Sequence, residues 1–90
     1  MFKLFKKSPK VYKEIIDGYL YDTSKSEYLT DFYTDSPLGG RYKVYRTGNG
    51  RYFIIDLGHV HPISEDDLKR SLAKYDADEY IRIFGKVKDA

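Results

Sequence analysis

Residues 41–52 concentrate the side chains of this chain best suited to gripping another molecule. Arg41, Lys43, Arg46 and Arg51 bring cations with no acid between them, and Tyr42, Tyr45 and Tyr52 alternate with them. Guanidinium and ammonium groups contact phosphates or carboxylates, while tyrosine rings stack on bases or fill apolar pockets. Asn49, in the Thr47-Gly48-Asn49-Gly50 turn, adds an amide at the tip. Arg41, Tyr42, Lys43, Tyr45, Arg46, Asn49, Arg51 and Tyr52 are therefore the candidate partner-binding residues. The same pattern fits a solvated sheet face with cross-strand charge pairs at least as well. An RNA-recognition motif would need a particular Gly and Phe spacing, and Gly50-Arg51-Tyr52-Phe53-Ile54-Ile55 departs from it.

Other chemistry is harder to assemble. His59 and His61 are the only histidines. On an extended chain they share a face and could supply two metal ligands. A zinc site would have to be completed by carboxylates, because the chain has no Cys. A pair of ordinary loop-edge histidines is the simpler expectation. The absence of Cys also removes disulfides and thiolate nucleophiles. No serine stands in a nucleophile-elbow pattern, and Gly48-Asn49-Gly50 is too short for a phosphate-binding loop. The expectation is a non-enzymatic protein with no cofactor, no metal and no evident small-molecule substrate.

The elements that must position these residues belong to one small domain. The chain has 90 residues, and 41% apolar against 33% charged content is that of a folded protein rather than a disordered one. Ten Tyr and five Phe suit a thin sheet whose wide side chains must cover a small core. Net charge is only +2, but it is blocked. Residues 1–14 are lysine-rich. Residues 15–40 carry Asp17, Asp22, Glu27, Asp31 and Asp35 against Lys25, and residues 41–52 are basic. Such blocks can steer a partner or pair with one another across a sheet. Residues 1–9 read as a basic tail ending at Ser8-Pro9, and residues 10–90 as a single α+β domain. No apolar run reaches the ~20 residues of a bilayer span. The basic start lacks the apolar stretch of a signal peptide. A cytoplasmic protein without membrane contact is expected.

Along the domain, Val11 to Tyr21 is β-branched and aromatic, interrupted by Asp17-Gly18. It reads either as a tight hairpin or as one strand bulged at Gly18, and the short arm after the glycine favours the bulge. Asp22 to Ser26 is a polar turn, Tyr28–Tyr33 a strand, and 34–40 a loop. Residues 41–46 and 51–57 form a hairpin. Its second arm is apolar on both faces and hence central. Gly58 to Pro62 reads as a connector. Ser64 caps a helix whose Leu68, Leu72 and Tyr75 share a face, with Ile63 and Leu68 at the spacing of a hydrophobic staple. Asp76 to Gly85 has two readings: Tyr80-Ile81-Arg82-Ile83-Phe84 could form a strand, while Asp76 with Glu79 repeats the capping pattern and Gly85 marks a stop, which favours a second short helix. The expected fold is α+β: an antiparallel sheet of three or four strands with one or two C-terminal helices packed on one face. Leu68, Leu72 and Tyr75 should lie against apolar residues of the sheet, Phe53 and Ile55 among them.

Three stretches taken together carry a resemblance. They are Gly18-Tyr19-Leu20-Tyr21-Asp22-Thr23 with Ser26-Glu27, then Tyr45-Arg46-Thr47 with Gly50-Arg51-Tyr52-Phe53, then Pro62-Ile63-Ser64-Glu65-Asp66 with Tyr75 to Tyr80 and Ile83-Phe84-Gly85. Their order, over residues 18–85, resembles a group of small uncharacterised bacterial proteins carried by phages and conjugative elements. The chain departs from that pattern in having no Trp in its helix and a short connector before Pro62. The resemblance implies an accessory role in a mobile element. The implied partner is a host protein such as a CRISPR effector, inhibited by binding in the host cytoplasm, as anti-CRISPR proteins do. It supplies no catalytic residues. The alternative function, read from the residues themselves, is nucleic-acid binding through the basic, Tyr-rich hairpin.

Overall fold

The computed structural model describes residues 10–35, 40–85 and 87–90. The elements run β1 (Lys13–Ile16), β2 (Tyr19–Asp22), β3 (Glu27–Tyr33), β4 (Arg41–Arg46), β5 (Tyr52–Asp56), β6 (His59–Ile63), α1 (Glu65–Tyr75) and α2 (Ala77–Phe84). The expected basic tail at 1–9 and the middle of the loop at 34–40 lie outside the described residues. Strands β3 to β6 form one antiparallel sheet in sequence order, and β1 pairs with β2 in a separate two-stranded sheet. The protein is thus α+β, with both helices on one face of the larger sheet. The β1–β2 hairpin lies on the other face.

Two expectations are corrected by the turns. Asp17 and Gly18 have φ of 52° and 81°, and Ile16 pairs with Tyr19 and Lys13 with Asp22. This is a tight hairpin, not a strand bulged at Gly18. Its short second arm suffices because its end is tied to β1: Tyr12 N donates to Thr23 Oγ1 and Thr23 N donates to Tyr12 O, each at 3.0 Å. The second correction is the connector at 58–62. Leu57 and Gly58 repeat the same left-handed turn, and His59–Ile63 pairs along the whole of β5 as β6. An edge strand tolerates Pro62, whose missing N–H breaks no inner ladder.

The hairpin of β4 and β5 forms as expected, with β5 starting at Tyr52, between β4 and β6. Its register pairs Val44 with Ile54, Tyr45 with Phe53 and Arg46 with Tyr52. Val44, Ile54 and Tyr52 therefore share one face. Leu68 and Leu72 of α1 are fully buried there with Phe32, Val44 and Tyr52, each contributing roughly 1.5–3 kcal/mol by burial. Tyr75 stacks on Phe32 with centroids 6.4 Å apart. The helix thus packs on apolar residues of the sheet as expected, but Phe53 and Ile55 are not among them. Those two point to the opposite face and pack with Tyr21 and Val60 beneath the β1–β2 hairpin. Two coverings explain why β5 is apolar on both sides.

Both helices carry the expected caps. Ser64 Oγ accepts from Asp67 N at 3.0 Å, and the Asp76 carboxylate accepts from Glu79 N at 3.3 Å. Ile63 packs on the cluster that holds Leu68. The second helix ends at Gly85, whose φ is 102°. It is tied to β3 by a polar clasp. Thr30 Oγ1 donates to Glu79 at 2.6 Å, and Arg82 binds Glu79 and donates to the Leu29 carbonyl.

Candidate functional site: the open half of the sheet

The β1–β2 hairpin covers only part of the face it lies on. Over β5 and β6 it buries Phe53, Ile55 and Val60. Beside it, β3 and β4 present Tyr28, Asp31, Tyr33, Arg41, Lys43 and Tyr45 on the same side. The register sets this: Tyr33 lies opposite Arg41, Asp31 opposite Lys43 and Tyr28 opposite Tyr45. Tyr33 and Tyr28 remain 61% and 50% exposed.

The floor of this half-face is aromatic. Tyr28 meets Tyr45 edge-on at 5.5 Å, Tyr45 stacks on Phe53 at 5.3 Å, and Phe53 meets Tyr21 at 5.4 Å. The row leads from solvent into the core beneath the hairpin. Burial pushes the Tyr45 phenol above its ordinary range. Burial first, and then neighbouring Asp31, do the same for Tyr28. Both phenols stay protonated at neutral pH and can donate.

Charge on the half-face is partly matched. Arg41 forms an ion pair with Asp31 and hydrogen-bonds it through two nitrogens. That guanidinium holds the Asp31 carboxyl below the usual range, and Asp31 in turn raises Arg41. The guanidinium carbon also lies 6.0 Å from the Tyr33 ring centroid, within cation–π reach. Lys43 is exposed between them in register with Ile55.

The structure divides the other candidate residues. Tyr42, Arg46 and Tyr52 belong to the helix-side face. Tyr42 meets Phe32 edge-on at 5.5 Å, and Tyr52 is 8% exposed and meets Phe84 at 6.1 Å. Arg46 pairs with Glu27 of β3. Arg51, beside the hairpin tip, stacks on Tyr19 with its guanidinium carbon 3.7 Å from the ring centroid. Asn49 lines a shallow depression at the tip with Leu20, Asp22 and Lys25. Of the candidates, Arg41, Lys43 and Tyr45 thus come together, and the rest are spread over the opposite face and the tip.

No family model matches the chain, and no curated protein or solved structure is significantly similar to it.

Tyr28 and Tyr33 were not among the sequence candidates, although they supply the most exposed rings of the half-face. Their separation of five positions would put them on opposite faces of a regular strand. A bulge between Tyr28 and Thr30 shifts the register and returns both to one side. Among the described residues, no three His, Cys, Asp or Glu side chains gather as a metal cluster, and His59 and His61 lie exposed on β6. Asp22 serves a local turn, accepting from Ser24 N at 2.9 Å and Ser24 Oγ at 2.6 Å. Among the described residues, no helix is long and apolar enough to cross a membrane.

Proposed function

We propose that this protein acts by binding rather than by catalysis, and that the open half-face of β3 and β4 is its contact surface for a partner protein. The observation that supports this is the exposure of Tyr28 and Tyr33 beside Arg41 and Lys43 on a sheet whose other half is buried. Arg and Tyr are the residue types that most often dominate interface energetics, because they combine wide contact area with directional hydrogen bonds. The pairing of Arg41 with Asp31 reduces the free positive charge of the half-face. That favours a protein over a phosphate backbone. The partner proposed is a host defence protein, such as a CRISPR effector, inhibited by binding in the host cytoplasm; the ground for that choice is the resemblance read from the order of short motifs over residues 18–85, to which the comparisons add nothing.

The test is titration of purified effector complexes with the wild-type chain and with a Tyr33→Ala, Lys43→Ala double variant. Both substitutions are exposed, so circular dichroism should show an unchanged fold. Affinity should fall by about 2 kcal/mol or more. Equal affinity of the folded variant would remove the half-face from the interface.

A second reading is supported by Tyr33, which offers a ring face beside a guanidinium and an exposed ammonium, a platform on which a single-stranded base could stack. It predicts that single-stranded oligonucleotides bind with an affinity that falls as salt rises. Fluorescence anisotropy at low salt tests this, and no change with any probe rejects it.

A further inference from the structure

Two turns in this chain have nearly the same backbone and very different residues. Asp17-Gly18 has φ of 52° and 81°, and Leu57-Gly58 has φ of 53° and 80°. Such two-residue turns need the left-handed region at both positions, which Asn, Asp and Gly adopt with least cost. The first turn carries a favoured residue. The second places leucine in a conformation that leucine disfavours and leaves it 84% exposed, the highest value among the exposed large apolar residues. Leu57 therefore carries backbone strain and returns no burial to the fold. Strain held at a surface position points toward a role outside the fold.

The turn also sits in a telling place. It closes β5 at the end of the sheet where β3 finishes with Tyr33 and β4 begins with Arg41. Lys43 pairs with Ile55, two residues short of Leu57. Pairing of β5 with β6 up to Asp56 and His59 fixes the backbone on both sides of the turn. Leucine is thus presented on a turn whose backbone is fixed by the flanking strands, at the end of the sheet that carries Tyr33 and Arg41.

We propose that Leu57 is the apolar anchor of the binding surface, entering an apolar pocket of a partner protein whose rim carries a carboxylate facing Lys43. This rests on the reading of the half-face as a protein-binding surface, and it specifies the partner's chemistry. An aliphatic side chain offers no stacking to a base, and the exposed Lys43 ammonium on the neighbouring strand complements an acidic rim.

The experiment places a photoreactive benzoylphenylalanine separately at positions 57, 33 and 15 of the full chain, with irradiation in host-cell lysate. Position 15 is the control, exposed and apolar but on the outer side of the β1–β2 hairpin. Support requires positions 57 and 33 to cross-link the same protein and position 15 not to. It also requires Leu57→Asn to lower the yield from position 33 at least ten-fold, and Lys43→Glu to do likewise. A protein captured from 33 but not from 57, or a yield unaffected by Leu57→Asn, overturns the anchor and leaves the half-face reading intact. Capture of a second copy of this chain overturns the assigned partner class. Capture of nucleic acid alone, or of nothing at 33 and 57, overturns both readings. A yield unaffected by Lys43→Glu overturns the acidic rim. Thermal unfolding supplies a readout that needs no partner. Leu57→Asn should raise Tm by about 4 °C or more, since it relieves the turn. A lower Tm would show that Leu57 serves the fold and would overturn the proposal.

Discussion

Replacing Glu79 by Gln isolates one electrostatic link between the helices and the sheet. The Glu79 carboxylate accepts from Arg82 and from buried Thr30, and these two bonds, in that order of size, lower its pKa from 4.5 to about 2. At about 1.36 kcal/mol per pKa unit, the gap sets a ceiling of roughly 3.4 kcal/mol. The side chain is still 26% exposed. Solvent screening reduces the figure to about 1–2 kcal/mol. The sign follows from linkage. A carboxyl depressed in the folded state contributes its full stability above pH 4.5 and loses it as pH falls from 4.5 toward 2. Urea unfolding of the wild type and of Glu79→Gln should differ by about 1–2 kcal/mol at pH 7, with the difference shrinking to near zero at pH 2. Asp22 and Asp31 are also depressed, so the difference between the two proteins carries the information, not the wild-type curve. A difference that stays constant from pH 7 to pH 2 would refute the assignment of a charged clasp to Glu79.

Two further perturbations test the packing. Leu72→Ala removes a fully buried side chain from between α1 and the sheet, and should cost about 2–5 kcal/mol in urea unfolding; a cost under ~1 kcal/mol would mean the helix does not pack on Val44 and Phe32 as described. Glu14→Ala removes the carboxylate that accepts from Val60 N at 2.9 Å, so stability should drop by about 1 kcal/mol and the freed strand edge should promote self-association. Light scattering and unfolding curves identical to the wild type would show that the cap is dispensable.

Local signals were legible where the chemistry is local. Ser64 and Asp76 bond to backbone N–H groups three residues on, Gly85 stops a helix by its own conformational freedom, and Leu68 and Leu72 fall on one face by helical period. Alternation in 41–46 separated Tyr42 and Val44 from Arg41, Lys43 and Tyr45, and the sheet keeps that separation. The acidic and basic blocks meet across strands, Asp31 with Arg41 and Glu27 with Arg46.

What remained hidden depends on contacts between distant residues. Asp17-Gly18 permits either a bulge or a turn, and Tyr12 binding Thr23 selects the turn. Residues 59–63 are short, polar at both histidines and contain Pro62, and β5 makes them a strand by supplying a partner edge. An apolar run such as 52–56 announces two coverings without saying which covers which face. Only the β1–β2 hairpin, seated on Phe53 and Ile55, assigns the helices to the other side. The same seating leaves β3 and β4 open. The bulge beside Leu29 then brings Tyr28 and Tyr33 onto that open side with Arg41 and Lys43. The sequence determined which residues are apolar, aromatic or charged and where helices begin and end. Strand register and layer placement are properties of pairs far apart in the chain, and only the tertiary structure decided which of those residues share a surface.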